Sequence, residues 1–213
     1  MKKLAICIAV LSLFAVPALA GTYTYGWENG ATMLGSYSPQ IMYAANSTAQ
    51  ARTGTHSLEY YEIADPVSGS WSGTPQAYVA WVTGLSVGDV VSATVYVWDN
   101  TPSGSPSCRI WGHWTPPGGD INSYLASASG NNTYSSDLWV TPLSYSWTAT
   151  TEGEGLVIEI RSYSGATGAG KTNYIDDLSV TIPDREGIQL YFPDEGPVAT
   201  ESTTWGAVKD LYQ

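Results

Sequence analysis

Val90-Val91-Ser92-Ala93-Thr94-Val95-Tyr96-Val97-Trp98 alternates from Val91 to its end. Successive side chains of a strand point to opposite faces. Val91, Ala93, Val95 and Val97 therefore share one face, and Ser92, Thr94, Tyr96 and Trp98 share the other. The same period returns in Leu156–Tyr163, where Leu156, Ile158 and Ile160 oppose Val157, Glu159, Arg161 and Tyr163. In Cys108–Trp114, Cys108 and Ile110 oppose Arg109, Trp111 and His113. One face of each strand is a plain core face. The other mixes aromatic with polar side chains, which is more than contact with water requires.

Further β-rich runs surround these three: Ala77–Thr83, Tyr145–Thr150 and Tyr174–Ile182, with shorter candidates at Thr22–Trp27, Ile41–Tyr43 and Ser57–Glu62. Turn chemistry separates them, as in Gly84-Leu85-Ser86-Val87-Gly88-Asp89 and Asn100-Thr101-Pro102-Ser103-Gly104. No helical period is convincing between 21 and 183. About nine short strands with no helices between them predict an all-β sandwich or barrel.

The first twenty residues stand apart. Met1-Lys2-Lys3, an apolar run from Leu4 to Val16, and Ala18-Leu19-Ala20 before Gly21 have the three parts of a secretory signal. The apolar run is shorter than the roughly 20 residues a spanning helix needs. Cys7 lies inside it, away from the cleavage site, which argues against a lipoprotein anchor. Cleavage at Ala20 leaves Cys108 as the lone cysteine, so no intramolecular disulfide can form. The mature chain is long enough for one domain with a sizeable core. The expectation is an exported protein, secreted or held at the cell surface.

Charge narrows the partners. The full chain carries −11, and losing Lys2 and Lys3 makes the mature chain more negative still. Such a chain lacks the basic patch that neutralises phosphates, which excludes nucleic acid and anionic membrane surfaces as partners. Charged residues make up only 13%, so it is not an acidic disordered chain. Nine Trp and fifteen Tyr against two Phe favour aromatic rings with a polar handle, suited to half-wet surfaces. Beyond Pro183, Asp184–Gln213 holds six acids and two bases without an alternating run. Residues 184–201 are expected to be a flexible connector. Ser202–Tyr212 could form a short amphipathic terminal helix.

The order of several short motifs then carries a resemblance. Trp27-Glu28-Asn29-Gly30 opens the mature chain, and Arg52-Thr53-Gly54-Thr55-His56-Ser57-Leu58 follows. Tyr78-Val79-Ala80-Trp81-Val82 leads into Gly84-Leu85-Ser86-Val87-Gly88-Asp89, and Tyr174-Ile175-Asp176-Asp177-Leu178-Ser179-Val180 closes the series. Over most of 21–183 this resembles bacterial carbohydrate-binding modules with a galactose-binding-like jelly roll, of the family 4, 9 and 22 type. The resemblance implies an antiparallel two-sheet β-sandwich over 21–183. It also implies a structural calcium held by Glu28, the Thr53–Thr55 segment (Thr55 above all) and Asp177, with Asp176 the less favoured acid. Calcium takes six to eight oxygen ligands and accepts carboxylates mixed with carbonyls. The rival reading has one Asp in solvent and the other capping a turn.

For ligand contact the candidates are Tyr96 and Trp98; Arg109, Trp111 and His113; and Glu159, Arg161 and Tyr163. Sugar rings need a flat apolar platform, and their hydroxyls need a few fixed donors and acceptors in a concave site. If the three strands present one outer sheet face, these residues form such a groove. Otherwise Trp98 or Trp111 is simply buried. Trp71 and Trp139, in or beside loops, either contact a ligand or plug the end of the sandwich.

Catalysis finds no assembled set of groups. The carboxylate pairs Glu59/Glu62 and Glu152/Glu154 lack partners across a cleft. His56 and His113 lie outside any nucleophile motif, and Cys108 is on an apolar face. Gly165–Thr172 matches the spacing of a phosphate loop but joins two strands, so a hairpin loop is expected. These readings predict a secreted non-catalytic protein that binds a polysaccharide or cell-surface glycan. A structural or adhesive surface protein, with the sandwich as spacer and the C-terminal piece for docking, is the alternative.

Overall fold

A computed structural model describes residues 20–37, 41–62, 74–99, 108–133, 138–162 and 171–199. Among these residues, thirteen strands form two sheets: β1 (Ala20–Tyr25), β2 (Gly35–Tyr37), β3 (Ile41–Ser47), β4 (Ser57–Glu62), β5 (Gln76–Leu85), β6 (Val90–Trp98), β7 (Cys108–Thr115), β8 (Ala126–Gly130), β9 (Leu143–Thr148), β10 (Glu154–Ser162), β11 (Lys171–Pro183), β12 (Gln189–Tyr191) and β13 (Val198–Ala199). The first sheet runs β3-β4-β11-β6-β9, with β1 also on β11. The second runs β13-β12-β5-β10-β7-β8, with β2 also on β5. Every pairing is antiparallel. The fold is the two-sheet β-sandwich that the strand pattern and the resemblance predict.

Each sheet is organised on one long strand with a divided edge. On one side of β11, β4 pairs with residues 171–175 and β1 with 178–183. On one side of β5, β2 pairs with 76–78 and β12 with 81–83. Short strands laid end to end thus cover edges that would otherwise be open templates for another chain.

The core lies between the sheets and comes from the apolar positions of the alternating runs. Val91, Val95 and Val97 of β6 and Leu178, Val180 and Ile182 of β11 meet Leu156, Ile158 and Ile160 of β10, all buried. Each such side chain contributes roughly 1.5–3 kcal/mol by leaving water. Cys108 is buried with Sγ 3.3 Å from Tyr60 Oη, as expected of an inert thiol.

The segment after Pro183 corrects the sequence reading. Residues 184–201 were expected to be a connector outside the domain, but Ile188, Leu190 and Phe192 are core residues and Gln189–Tyr191 is a strand of the second sheet. Phe192 stacks on Tyr25 at 5.0 Å and 10°. The Arg185 guanidinium fastens the start of the strap to Asp89, to Gly84 O at 2.9 Å and to Ser86 Oγ at 2.9 Å. The five residues Ile188–Phe192 between Gly187 and Pro193 alternate between core and surface, a run short enough to be passed over in the sequence. They become a strand because half of the β5 edge is free to receive them. The domain therefore extends at least to Ala199. Residues 1–19 and 202–213, with Trp71 and Gly165–Gly170, lie outside the described residues. Among the described residues no helix is long and apolar enough to cross a membrane.

Candidate functional site

Register arranges the outer face of the second sheet in three rows. The first is Tyr37 on β2, Gln76 on β5, Arg161 on β10 and Arg109 on β7. The second is Gly35, Tyr78, Glu159, Trp111 and Gly130. The third is Tyr191, Trp81, Val157, His113 and Ser127. Aromatic and ionic side chains of five strands are thus brought onto one surface. Glycine ends the middle row for a steric reason: a Cβ on Gly130 would stand 2.6 Å from the Trp111 Cα and 2.3 Å from the Ile110 carbonyl oxygen.

The polar groups of this face are tied to one another. The Glu159 side chain is fully buried at 0% exposure, and His113 Nδ1 lies 2.5 Å from its Oε1. Arg161 Nε donates to the other oxygen, Oε2, at 2.9 Å. A buried carboxylate is tolerated only with such partners. Trp111 carries both arginines, with the Arg109 guanidinium carbon 4.2 Å and that of Arg161 4.7 Å from its ring centroid. Its indole N–H donates to Ser127 Oγ at 3.1 Å. The Tyr78 ring lies 5.2 Å from that of His113. Burial, reinforced by the Glu159 charge, pushes the Tyr78 hydroxyl up to about 12, so it stays protonated.

Two hollows open along this surface. The larger, about 470 Å³, is lined by Tyr37, Gln76, Tyr78, His113, Tyr124 and Arg161, with Asn122 at its rim. Tyr124 is 66% exposed and stands over His113 at 5.7 Å between ring centroids. The smaller, about 330 Å³, lies over Trp81 and Tyr191, whose rings stack at 5.2 Å and 28°. Gly118, Gly119, Gly153 and Gly155 leave its floor open. Concave, aromatic-lined surface with a few oriented polar groups has the makings of a small-molecule or polymer site.

The residues singled out in the sequence divide between the sheets. Arg109, Trp111 and His113 do share a face with Glu159 and Arg161, on the neighbouring strands β7 and β10. Tyr96 and Trp98 do not join them, which corrects the single groove drawn from three strands. Both lie on β6, in the other sheet, and so face away on the opposite side of the sandwich. Arg52 sits over the Tyr96 ring at 3.4 Å, and Trp98 meets Tyr174 edge-on at 5.3 Å and 81°. Alternation assigns faces within a strand but says nothing of which strands are neighbours. Tyr163 lies outside the described residues. Trp139 sits beside the end of β6, its backbone N–H donating to the Val97 carbonyl at 3.2 Å.

Tyr78 and Trp81 were quoted only as motif residues, and a plain strand would place them on opposite faces. Between Ile158 and Glu159 the partners on β5 jump from Ala80 to Tyr78. This β-bulge resets the parity and turns both rings outward. Tyr37, Tyr124 and Tyr191 arrive from a three-residue strand, a loop and the short alternating stretch of the C-terminal strap, none of which the sequence reading took as strands.

The acids expected at calcium meet on one loop. Glu28 Oε1 accepts from the backbone N–H of Thr55 and His56, both at 2.9 Å, and Thr55 Oγ1 donates to Oε2 at 2.8 Å. The N–H groups of His56 and Thr55, and then the Thr55 hydroxyl, hold Glu28 down to about 2. Asp177 pairs with Arg52 at 2.6 Å and accepts from the Thr53 hydroxyl. Its φ of 49° marks a bulge, where the partners on β11 jump from Asp176 to Ser179. Asp176 is buried and accepts from the N–H of Arg52 at 2.8 Å and of Asp177 at 2.7 Å. Burial raises its carboxyl, and those N–H bonds partly offset the rise. These hard oxygens suit calcium in kind and reach one loop from three segments, although among the described residues no cluster of three acids, His or Cys could hold a metal by itself.

No family model matches the sequence, and no curated protein matches it. Solved structures do. The CBM22-1 xylan-binding domain of Paenibacillus barcinonensis Xyn10C superposes with a TM-score of 0.50 at 13% identity, covering 79% of this chain and 98% of that one. The tandem CBM22-1–CBM22-2 domain of the same protein gives a TM-score of 0.50 at 13% identity, covering 80% of this chain and 48% of that one. This chain shares the β-sandwich fold of those domains. At this identity the likeness extends to the sandwich and not to the ligand.

Proposed function

We propose that this protein is a non-catalytic, exported carbohydrate-binding module that holds a polysaccharide along the outer face of its second sheet. The observation that carries the reading is the pair of aromatic-lined hollows on one surface, one over Tyr78 and His113 and the other over Trp81 and Tyr191. Two hollows on one face suit an extended chain, because each can seat a ring while the polymer runs between them. Tyr78, Gln76 and Arg161 offer the fixed hydrogen-bonding groups that sugar hydroxyls need. Export rests on Met1–Ala20. The decisive experiment is affinity electrophoresis of the mature chain against a panel of soluble polysaccharides. Retardation by at least one polymer class is expected, and migration unchanged by every polymer would sink the reading.

We also propose a structural calcium at the Arg52–His56 loop, supported by the oxygen donors that meet there. Glu28, Thr55 and Asp177 would hold the ion, which when bound would cross-link the first strand, the loop and the last strand. A rise in Tm on adding calcium to chelator-treated protein is the expected result. Identical melting in calcium and in chelator would remove the ion from the description.

A further inference from the structure

The C-terminal strap divides its residues between two tasks. Ile188, Leu190 and Phe192 are core residues, while Gln189 and Tyr191 stand on the outer face and line the smaller hollow. β12 pairs with β5 along residues 81–83, which sets Tyr191 directly opposite Trp81 and Gln189 opposite Thr83. Without β12, Trp81 would be a lone ring on an open edge of β5. With it, Trp81 has a second ring stacked beside it at 5.2 Å and 28°.

The strap is fastened on both sides of that pair. Before it, the Arg185 guanidinium holds Asp89, Gly84 O and Ser86 Oγ, and a Cβ on Gly84 would stand 2.1 Å from the Gly187 carbonyl oxygen. After it, Pro193 O accepts from the Tyr25 hydroxyl at 3.0 Å and from Asn29 Nδ2 at 3.2 Å. Between these anchors the Tyr191 hydroxyl donates to Gln189 Oε1 at 2.7 Å, fixing the two outward side chains relative to each other. A ring held in place beforehand gives contact area at little further ordering cost. Tyr78 and Trp81 are three residues apart on β5, so the two hollows follow each other along that strand at roughly 10 Å.

We propose, resting on the carbohydrate reading above, that the strap is a specificity element: Tyr191 and Gln189 complete a second subsite beside Trp81 and so set the length of glycan that the protein prefers. A short oligosaccharide seated over Tyr78 gains nothing from the strap. A chain long enough to reach from Tyr78 to Trp81 meets both hollows. Its second contact is then intramolecular and carries no further cost of association.

The test titrates the intact mature protein by calorimetry with cello-, manno- and xylo-oligosaccharides from disaccharide to hexasaccharide, beside affinity electrophoresis on the matching polymers. In at least one series the affinity is expected to climb with length. Tyr191→Leu keeps apolar bulk on Trp81 but removes the flat ring. It should weaken the longest member about fivefold, the scale of one aromatic contact, and leave the shortest member that binds within about twofold. Gln189→Ala, at an exposed position, should act in the same direction and carries the comparison if Tyr191→Leu lowers Tm. Where a polymer is retarding but no oligosaccharide binds, Tyr191→Leu should reduce the retardation. Variants that match the wild type at every length and on every polymer, or that weaken all lengths by one factor, would overturn the inference and leave the carbohydrate reading standing. A wild type that binds no oligosaccharide and no polymer would overturn both.

Discussion

The two outer faces of this sandwich are made from strands with the same alternating pattern, yet they are furnished differently. On the first sheet, hydroxyls pair across neighbouring strands: Ser92 with Ser146 at 2.7 Å, Thr94 with Ser144 at 2.8 Å and Thr22 with Thr181 at 2.8 Å. Short side chains that satisfy one another cover this part of the face, while Tyr96, Trp98 and Tyr174 lie further along it. On the second sheet the corresponding positions hold Tyr78, Trp81, Trp111, Glu159 and Arg161, with Glu159 buried beneath its partners. Long rings standing on a buried ionic cluster leave hollows between them. Relief on a sheet thus comes from the size and tethering of outward side chains, since both faces share the same backbone pleat.

Removing the tether should give the largest difference between the faces. Glu159→Ala leaves Arg161 and His113 without their shared carboxylate and is expected to cost about 3–5 kcal/mol in urea unfolding. Thr94→Ala, at an exposed hydroxyl pair of the other sheet, should stay within about 0.5 kcal/mol. Equal costs would mean that the buried cluster does not distinguish the two surfaces.

Binding should separate the faces next. Trp81→Ala is expected to weaken polysaccharide affinity about tenfold or more, as loss of a central aromatic contact does. Trp98→Ala, on the opposite side, should leave affinity unchanged within about twofold. The reverse order, measured by calorimetry on any polymer the protein binds, would move the site to the first sheet.

A smaller effect lies in alkali. Tyr78 has its hydroxyl raised in the folded state from 10.0 to about 12. A raised group contributes stability that is complete below its unfolded value and is lost as pH rises through the folded one. The Tm of the wild type should therefore fall relative to Tyr78→Phe between pH 10 and about 12 and run parallel to it below pH 10. Parallel curves throughout would show that the ring is wetter than its position between Gly35 and Glu159 implies.

Much of the second face was legible before any coordinates. Arg109, Trp111 and His113 could be placed on one side of their strand, and Glu159 and Arg161 on one side of theirs, because period 2 follows from the pleat. Adjacency was not legible. Tyr96 and Trp98 belong to an equally regular strand, and only hydrogen bonding to β11 and β9 places β6 in the other sheet. The bulge that turns Tyr78 and Trp81 to the same side leaves no sign in residue type, since it depends on how β5 meets β10.

By itself the sequence determined the longer strands, their apolar faces, the inert burial of Cys108 and an acidic chain unsuited to phosphate. Each of these follows from local chemistry: alternation, turn residues and charge. The tertiary structure alone decided which outward faces became neighbours, drew Gln189–Tyr191 onto β5, and set two arginines opposite each other above one buried carboxylate. Those outcomes depend on register between strands far apart in the chain, where one bulge changes what every later residue faces.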